Sequence, residues 1–585
     1  MTRTPSTLRF RSILATLTGL FLMGGFPGLA LSGEEVSRGD HALLGTSPKF
    51  ADLSLLIAPD YPCGWPTFPQ FQINHYLKIG PASPYNADVV TLEGNTGTQL
   101  DVPAHSVTPP DSGMKNAGQF GTMTIDKTPI WQHFGEACVI DCRDLLDKSS
   151  PGRSPLVTKD RVVAWEKAHR PLGPGDVVLF RSGYSDKHYK PWPEGRRFAA
   201  DPVEGKAPAW PDPDVPCMEY LVSRKVMTLG TDSTSMGPLP PELAEPTHFA
   251  GLKHGMIWTE SATNLGALPE TASLYGMIGP KHARGIYGEG RAFAVVDPEL
   301  AKRLLASTRR KAVADLSVLL DDNLPSTWPG QGVARHRHPY ITVKFGKNAN
   351  TNTPFEIHLT DSQAGTHLVP PSYALPEPGF DNARYSPEVR GWLAEYEQAH
   401  GMRGTSTVTA EQVPLDQTSG RARIVDVRGK SGSTVKAHWP ASPQITPADI
   451  EADETAHGPI QPGDIVIFRT DWSDRFYRPL PAGEACMLEP LNGKREGWPA
   501  LTAGTIELLA KRGVRCMATD APTIGGVDPK NALMTYWALG SRGLVAVEFL
   551  TGLGTLPADK EVYFLFVGVK IRGAHGAPGR AVAFY

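Results

Sequence analysis

The apolar positions of this chain gather into short unbroken runs set between glycine and proline. Val177-Val178-Leu179-Phe180 follows Gly173-Pro174-Gly175-Asp176, and Ile465-Val466-Ile467-Phe468 follows Gln461-Pro462-Gly463-Asp464. Four apolar residues in a row after a turn predict a strand buried on both faces. Helical spacing takes over elsewhere. Thr505 to Lys511 repeats its apolar residues with the period of a helix and ends at Gly513, and a strand ending at Asp520 follows. From Pro298 to Lys311 charged and apolar positions alternate as on a helix with one buried face. The expected fold class is α/β, in which polar residues at the ends of buried strands are natural places for function.

This pattern is written twice. The segment GPGDVVLFRSGYSDKHYKPWPEG, ending at Gly195, returns as QPGDIVIFRTDWSDRFYRPLPAG, ending at Gly483. Asp176 and Asp464 (464 − 176), Asp232 and Asp520 (520 − 232), and Glu260 and Glu548 (548 − 260) all hold an offset of 288. The openings Ala51-Asp52-Leu53-Ser54 and Ala314-Asp315-Leu316-Ser317 are only 263 apart (315 − 52), so the second copy carries extra residues, many of them between Ala374 and Arg421. The expected organisation is one domain over 47–297, a joining helix over 298–311 and a second domain over 312–585.

Charge and composition narrow the partners. Lys and Arg number 58 against 61 Asp and Glu, and a net charge of −3 on 585 residues gives no electrostatic footprint for nucleic acid. At the start, Arg3, Arg9 and Arg11 precede an apolar run from Ile13 to Leu31 that ends in Ala30-Leu31-Ser32. That is the layout of a secretory signal peptide over 1–32, so the expectation is an exported protein, periplasmic or extracellular. An uncleaved anchor is the alternative, but Gly24, Gly25 and Pro27 break the run. Of six cysteines, Cys138 and Cys142 flank a strand-like stretch. Residues four apart on a strand lie roughly 13 Å apart, too far to bridge each other.

The stretch densest in chemistry is Asn95-Thr96-Gly97-Thr98-Gln99-Leu100-Asp101-Val102-Pro103-Ala104-His105. Glycine and proline bend the backbone while Asn95, Gln99, Asp101 and His105 can aim at one locus. Mixed oxygen and nitrogen donors suit a divalent metal such as manganese or zinc. Taken alone, an ordinary polar turn has the same composition. In the second copy the stretch reads Gln363 to Tyr373, with Val369 in place of Asp101 and Tyr373 in place of His105. Asp232 and Asp520 end buried strands in both copies and fit a turn-capping role. His-Glu-x-x-His, Gly-x-Ser-x-Gly and Gly-x-Gly-x-x-Gly motifs are absent.

The stretch resembles the His-x-Gly-Thr-His-x-Asp-x-Pro-x-His signature of the cyclase family, which includes kynurenine formamidases and isatin hydrolases. Each copy also has that family's Asp-Leu-Ser opening, a Trp-Pro at Trp65-Pro66 or Trp328-Pro329, the Gly-Asp turn, a Thr-Asp strand end, a late glutamate and a Gly…Arg-Ala close. The resemblance implies two tandem cyclase-like domains, of the swivelling β/β/α type, paired as a pseudo-dimer. It implies a metal site in copy one from Asn95, Gln99, Asp101, His248 and Glu260, with His105 as the catalytic acid and base and Trp65 against the substrate. Asn95 and Gln99 stand where the family has histidines, so their side-chain carbonyls would replace imidazoles. Copy two keeps only His367 and Glu548 of this set, with Tyr536 at the position of His248, and would serve as a scaffold lending an aromatic wall such as Trp328 or Trp472. The implied function is an exported metal-dependent hydrolase of an amide C–N bond, in an aryl formamide or a cyclic amide. The alternatives are a lactone hydrolase and a binding protein that keeps the fold without the chemistry.

Overall fold

The computed structural model describes residues 49–329, 340–347 and 354–585. The expected signal peptide at 1–32 lies outside the described residues. Among them, no helix is long and apolar enough to cross a membrane.

Copy one is built on a nine-stranded sheet and copy two on an eight-stranded one. The centre of the first is four parallel strands, Phe134–Asp141, Asp176–Arg181, Thr228–Thr231 and Ile257–Glu260. Their equivalents in the second are Ser419–Asp426, Ile465–Arg469, Cys516–Thr519 and Val545–Glu548. Asp176–Arg181 is buried at all six positions, as the unbroken apolar run requires of a strand covered on both faces. Antiparallel strands complete each sheet. In copy two the strand Ala577–Phe584 bonds to both His367–Val369 and Tyr563–Gly568, which curls the sheet back on itself.

Helices cover the sheets. Pro241–Leu252 packs over copy one, and its counterpart Pro529–Gly540 over copy two. Between the copies runs the helix Pro298–Arg309, whose N-terminus is capped by the Asp297 side chain on the Leu300 amide at 2.8 Å. Leu300, Leu304 and Leu305 of this helix enter a core that draws Phe50, Phe134 and Phe293 from copy one and Leu565, Val582 and Phe584 from copy two. Each such leucine contributes about 1.5–3 kcal/mol by leaving water.

A four-stranded sheet joins the copies a second time. The copy-one hairpin Gln72–Leu77 and Ala87–Glu93 bonds to the copy-two hairpin Tyr340–Lys347 and Pro354–Asp361 along Ala87–Glu93 and Pro354–Asp361. In this antiparallel pair Thr91 faces Leu359, an offset of 268 (359 − 91). Gly97 and Gly365 of the two site loops have the same offset (365 − 97). Thr91 therefore pairs with its own counterpart. Salt bridges repeat the reciprocity: Asp52 meets Arg291 of its own copy at 2.8 Å and Lys570 of the other at 2.9 Å, while Asp315 meets Arg580 and Lys281, each at 2.8 Å.

All six cysteines are free and buried.

Candidate functional site

The loop entering the copy-one site turns at Gly97, whose φ of +71° lies in the left-handed region. A side chain there would also collide with Ile57. The loop leads into the short strand Gln99–Asp101, which lies antiparallel to Ile257–Glu260 with Gln99 opposite Glu260 and Asp101 opposite Trp258. A 3-10 turn over Pro103–His105, opened by a proline, then brings His105 back beside Asp101. His248 comes from the buried face of Pro241–Leu252. Five of the six polar residues singled out in copy one thus meet around one pocket of about 210 Å³ (Asn95, Gln99, His105, His248 and Glu260 line it), and Asp101 lies beneath them.

Two buried carboxylates form the floor. The Trp258 indole N–H donates to Asp101 Oδ2 at 3.2 Å and to Glu260 Oε1 at 3.3 Å. His248 Nε2 stands 3.7 Å from the same Asp101 oxygen and 3.4 Å from the same Glu260 oxygen. Burial and the Glu260 charge push the Asp101 carboxyl well above its ordinary range. Burial alone would lower His248, but Glu260 and Asp101 outweigh it and raise the imidazole to about 9. Glu260 is held below its usual value: burial opposes this, but the hydrogen bond and charge of His248 win, helped by the Met236 N–H at 2.7 Å.

His105 Nε2 reaches the same Asp101 oxygen at 3.7 Å. Burial, then the neighbouring His248, lower its pKa to about 3, so at neutral pH it is an uncharged base. The second nitrogens differ. His248 Nδ1 is anchored on the Ala244 carbonyl at 2.9 Å, whereas His105 Nδ1 is buried without a partner, as is Asp101 Oδ1. Asp101, His105 and His248 offer ligand atoms within 4.8 Å of one another, so the donors present fit a divalent cation.

Asn95 and Gln99 are tied to each other and to two glutamates. The Asn95 backbone N–H and side-chain N–H donate to Glu93 at 2.8–3.0 Å. Its Oδ1 therefore accepts Gln99 Nε2 at 2.8 Å, and the same Gln99 nitrogen donates to Glu260 Oε2 at 2.8 Å. Both acceptors fix which end of each amide faces which neighbour. The pair forms a bridge from Glu93 to Glu260.

The pocket walls are aromatic. Trp65 lines it, edge-on to Trp210 at 6.1 Å, together with Phe68 and Phe198. One wall comes from copy two, and it is Phe355, packed 4.7 Å from Phe68. Trp328 and Trp472 do not fill this place: Trp328 lines a separate cavity in copy two, and Trp472 is buried in the core with Cys486 and Met487. Trp258, two residues before Glu260 on a strand and so on the same face, was discernible from alternation alone. Phe355 had no such signal. Asp232 accepts the Ser182 and Gly183 amides at 2.7–3.0 Å and holds a turn beside the site.

The Cyclase family model matches residues 51–238 and again 314–525. The isatin hydrolase of Roseibium aggregatum is 26% identical over 247 residues, covering 41% of this chain and 86% of that protein. The kynurenine formamidase of Erythrobacter litoralis is 24% identical over 205 residues, or 35% of this chain and 74% of that protein. Among solved structures, isatin hydrolase A from Ralstonia solanacearum is 22% identical, with a TM-score of 0.35, covering 42% of this chain and 90% of its own. Both matched regions carry the same openings, turns and strand ends, and the chain belongs to the cyclase family, which it contains twice in tandem.

Proposed function

We propose that this chain is an exported, metal-dependent hydrolase that cleaves an amide C–N bond, in an aryl formamide or a cyclic amide, using copy one alone. The observation that carries the reading is the approach of His248 Nε2 to Asp101 Oδ2 and Glu260 Oε1, at 3.7 and 3.4 Å, in a buried pocket. When bound, a divalent cation such as manganese or zinc polarises a carbonyl and acidifies water; Asp101, His248 and Glu260 would hold it. His248 has the second hydrogen bond that fixes a metal-ligating imidazole, and His105 lacks one. His105 is therefore the neutral base. It accepts a proton at Nε2 from the attacking water and returns it to the departing nitrogen. Gln99 steadies Glu260, and Trp65, Phe68 and Phe355 clasp an aryl group and keep water from its faces. The names of two relatives, an isatin hydrolase and a kynurenine formamidase, supply the choice of a cyclic or formyl amide.

The pairing of Thr91 with Leu359 and the reciprocal Asp52 and Asp315 salt bridges support a pseudo-dimer of two swivelling β/β/α-type domains within one chain. Copy two has Val369, Tyr373 and Tyr536 where copy one has Asp101, His105 and His248, and it supplies a wall rather than chemistry.

One observation favours a non-catalytic binding protein: Asn95 and Gln99 are engaged with each other and with two glutamates. Assay of N-formyl anilides, cyclic aryl amides and aryl lactones, with manganese or zinc supplied, separates the readings. Turnover of the amides supports the hydrolase, turnover of lactones alone moves the substrate class, and saturable binding without turnover supports the binder.

A further inference from the structure

The second copy has kept a cavity after losing the chemistry. It measures about 260 Å³ and lies at the place equivalent to the copy-one pocket, between strand His367–Val369, helix Pro529–Gly540 and strand Val545–Glu548. The register repeats that of copy one, with His367 opposite Glu548 and Val369 opposite Ala546. The hydrogen-bond scaffold repeats too. Ile524 N–H donates to Glu548 Oε1 at 2.7 Å where Met236 serves Glu260, and His367 Nε2 lies 3.3 Å from Glu548 Oε2 where Gln99 serves Glu260.

What has changed is the interior. The Tyr536 hydroxyl now donates to Glu548 Oε1 at 2.7 Å in the place of the His248 imidazole. Tyr373, in the place of His105, packs edge-on to Tyr536 with centroids 5.0 Å apart. Tyr85 arrives from copy one and stacks on Tyr373 at 4.9 Å and 21°. Trp328, Phe549 and Met487 add further apolar lining. Among the described residues, no lysine or arginine lines the cavity, and the one carboxylate that does, Glu548, is engaged by Tyr536, Ile524 and His367. The Tyr85 and Tyr373 hydroxyls donate to no group among the described residues.

We infer that this cavity is a second, non-catalytic binding site, for an uncharged aromatic molecule of one or two rings bearing a group that both donates and accepts hydrogen bonds. The aromatic side chains offer ring faces and edges to a flat ligand. An anion would meet Glu548 with no lysine or arginine among the described lining residues to balance it. The free hydroxyls of Tyr85 and Tyr373 supply a donor and an acceptor, and the volume belongs to the small end of ligand sites. Because Tyr85 comes from copy one, occupation of this site also bears on the contact between the copies. The inference stands apart from the hydrolase reading, since it requires neither a metal nor turnover.

The test uses 4-bromophenol, which is not an amide, on the full chain. Crystals soaked with it are read by bromine anomalous scattering, which separates the two pockets by position. In parallel, the probe is titrated calorimetrically into wild type and Tyr85→Ala. The expected result is a bromine peak among Tyr85, Tyr373 and Tyr536, and at least a tenfold loss of affinity for that site in the variant. A peak confined to the copy-one pocket, no peak at all, or displacement of the phenol by tetramethylammonium at the same place would overturn the inference. The anomalous map stands as evidence even if the variant fails to fold.

Discussion

Gln99 and Glu260 face each other across neighbouring strands and are joined by a 2.8 Å hydrogen bond, and in the second copy His367 and Glu548 keep the same pairing at 3.3 Å. The bond orients a carboxylate that also accepts the Met236 N–H and the Trp258 indole N–H. Gln99 thus acts through Glu260. Gln99→Leu removes the donor and should weaken manganese binding by about 10–100-fold, the usual effect of losing a partner behind a metal ligand. Gln99→His should retain binding, since His367 shows that an imidazole fits there. Calorimetric titration of both variants with manganese checks this; equal affinities would remove Gln99 from the account.

His105→Ala should lower turnover by roughly 10²–10⁴-fold, the contribution of a positioned acid and base. Metal content should stay at the wild-type level, because the anchored imidazole is that of His248. Turnover and bound metal are measured on the same preparation. Loss of both together would make His105 a ligand instead.

Phe355→Ala tests whether the second copy completes the first copy's pocket. The ring packs on Phe68 at 4.7 Å and borders the cavity. An aromatic contact of this kind contributes about 1 kcal/mol, so KM for an aryl amide should rise roughly five- to tenfold with kcat and metal content unchanged. An unaltered KM would confine the substrate site to copy one.

Asp52 links the copies and gives a pH dependence with a definite sign. Burial alone would raise its carboxyl, but Arg291 and Lys570 outweigh burial and hold it at about 2, against an ordinary value of 3.8. A carboxyl depressed by folding adds stability above its unfolded value and loses it as pH falls through the folded one. The Asp52 contribution is therefore complete above pH 3.8 and fades towards pH 2. Asp52→Asn should cost about 2 kcal/mol at pH 7, and the gap from wild type should narrow as pH drops to 3 and below. Urea unfolding at pH 7, 4 and 3 reads it; a gap independent of pH would place the effect in packing rather than charge.

The repeats and the buried strands were legible in the sequence, because each rests on local spacing or on an anchor held at one offset, whereas the grouping of Asp101, His105, His248 and Glu260 came from the family resemblance and not from spacing. The bridge that Asn95 and Gln99 form between Glu93 and Glu260 was not legible, because side-chain type says what an amide can do, and only its neighbours decide what it does. Glu93 stands two residues before Asn95, and its claim on that amide depends on a turn the spacing does not specify. Phe355 lay beyond reach for a different reason. It enters the copy-one pocket only because Ala87–Glu93 pairs with Pro354–Asp361, a contact between residues far apart in the chain.

The most direct test of the central claim is the metal content of the purified full chain after incubation with manganese or zinc, with Asp101→Ala as its partner. The account predicts about one divalent ion per chain, held in copy one and lost in the variant, since the equivalent position in copy two is Val369. No bound ion in the wild type, or an ion that survives Asp101→Ala, would contradict it.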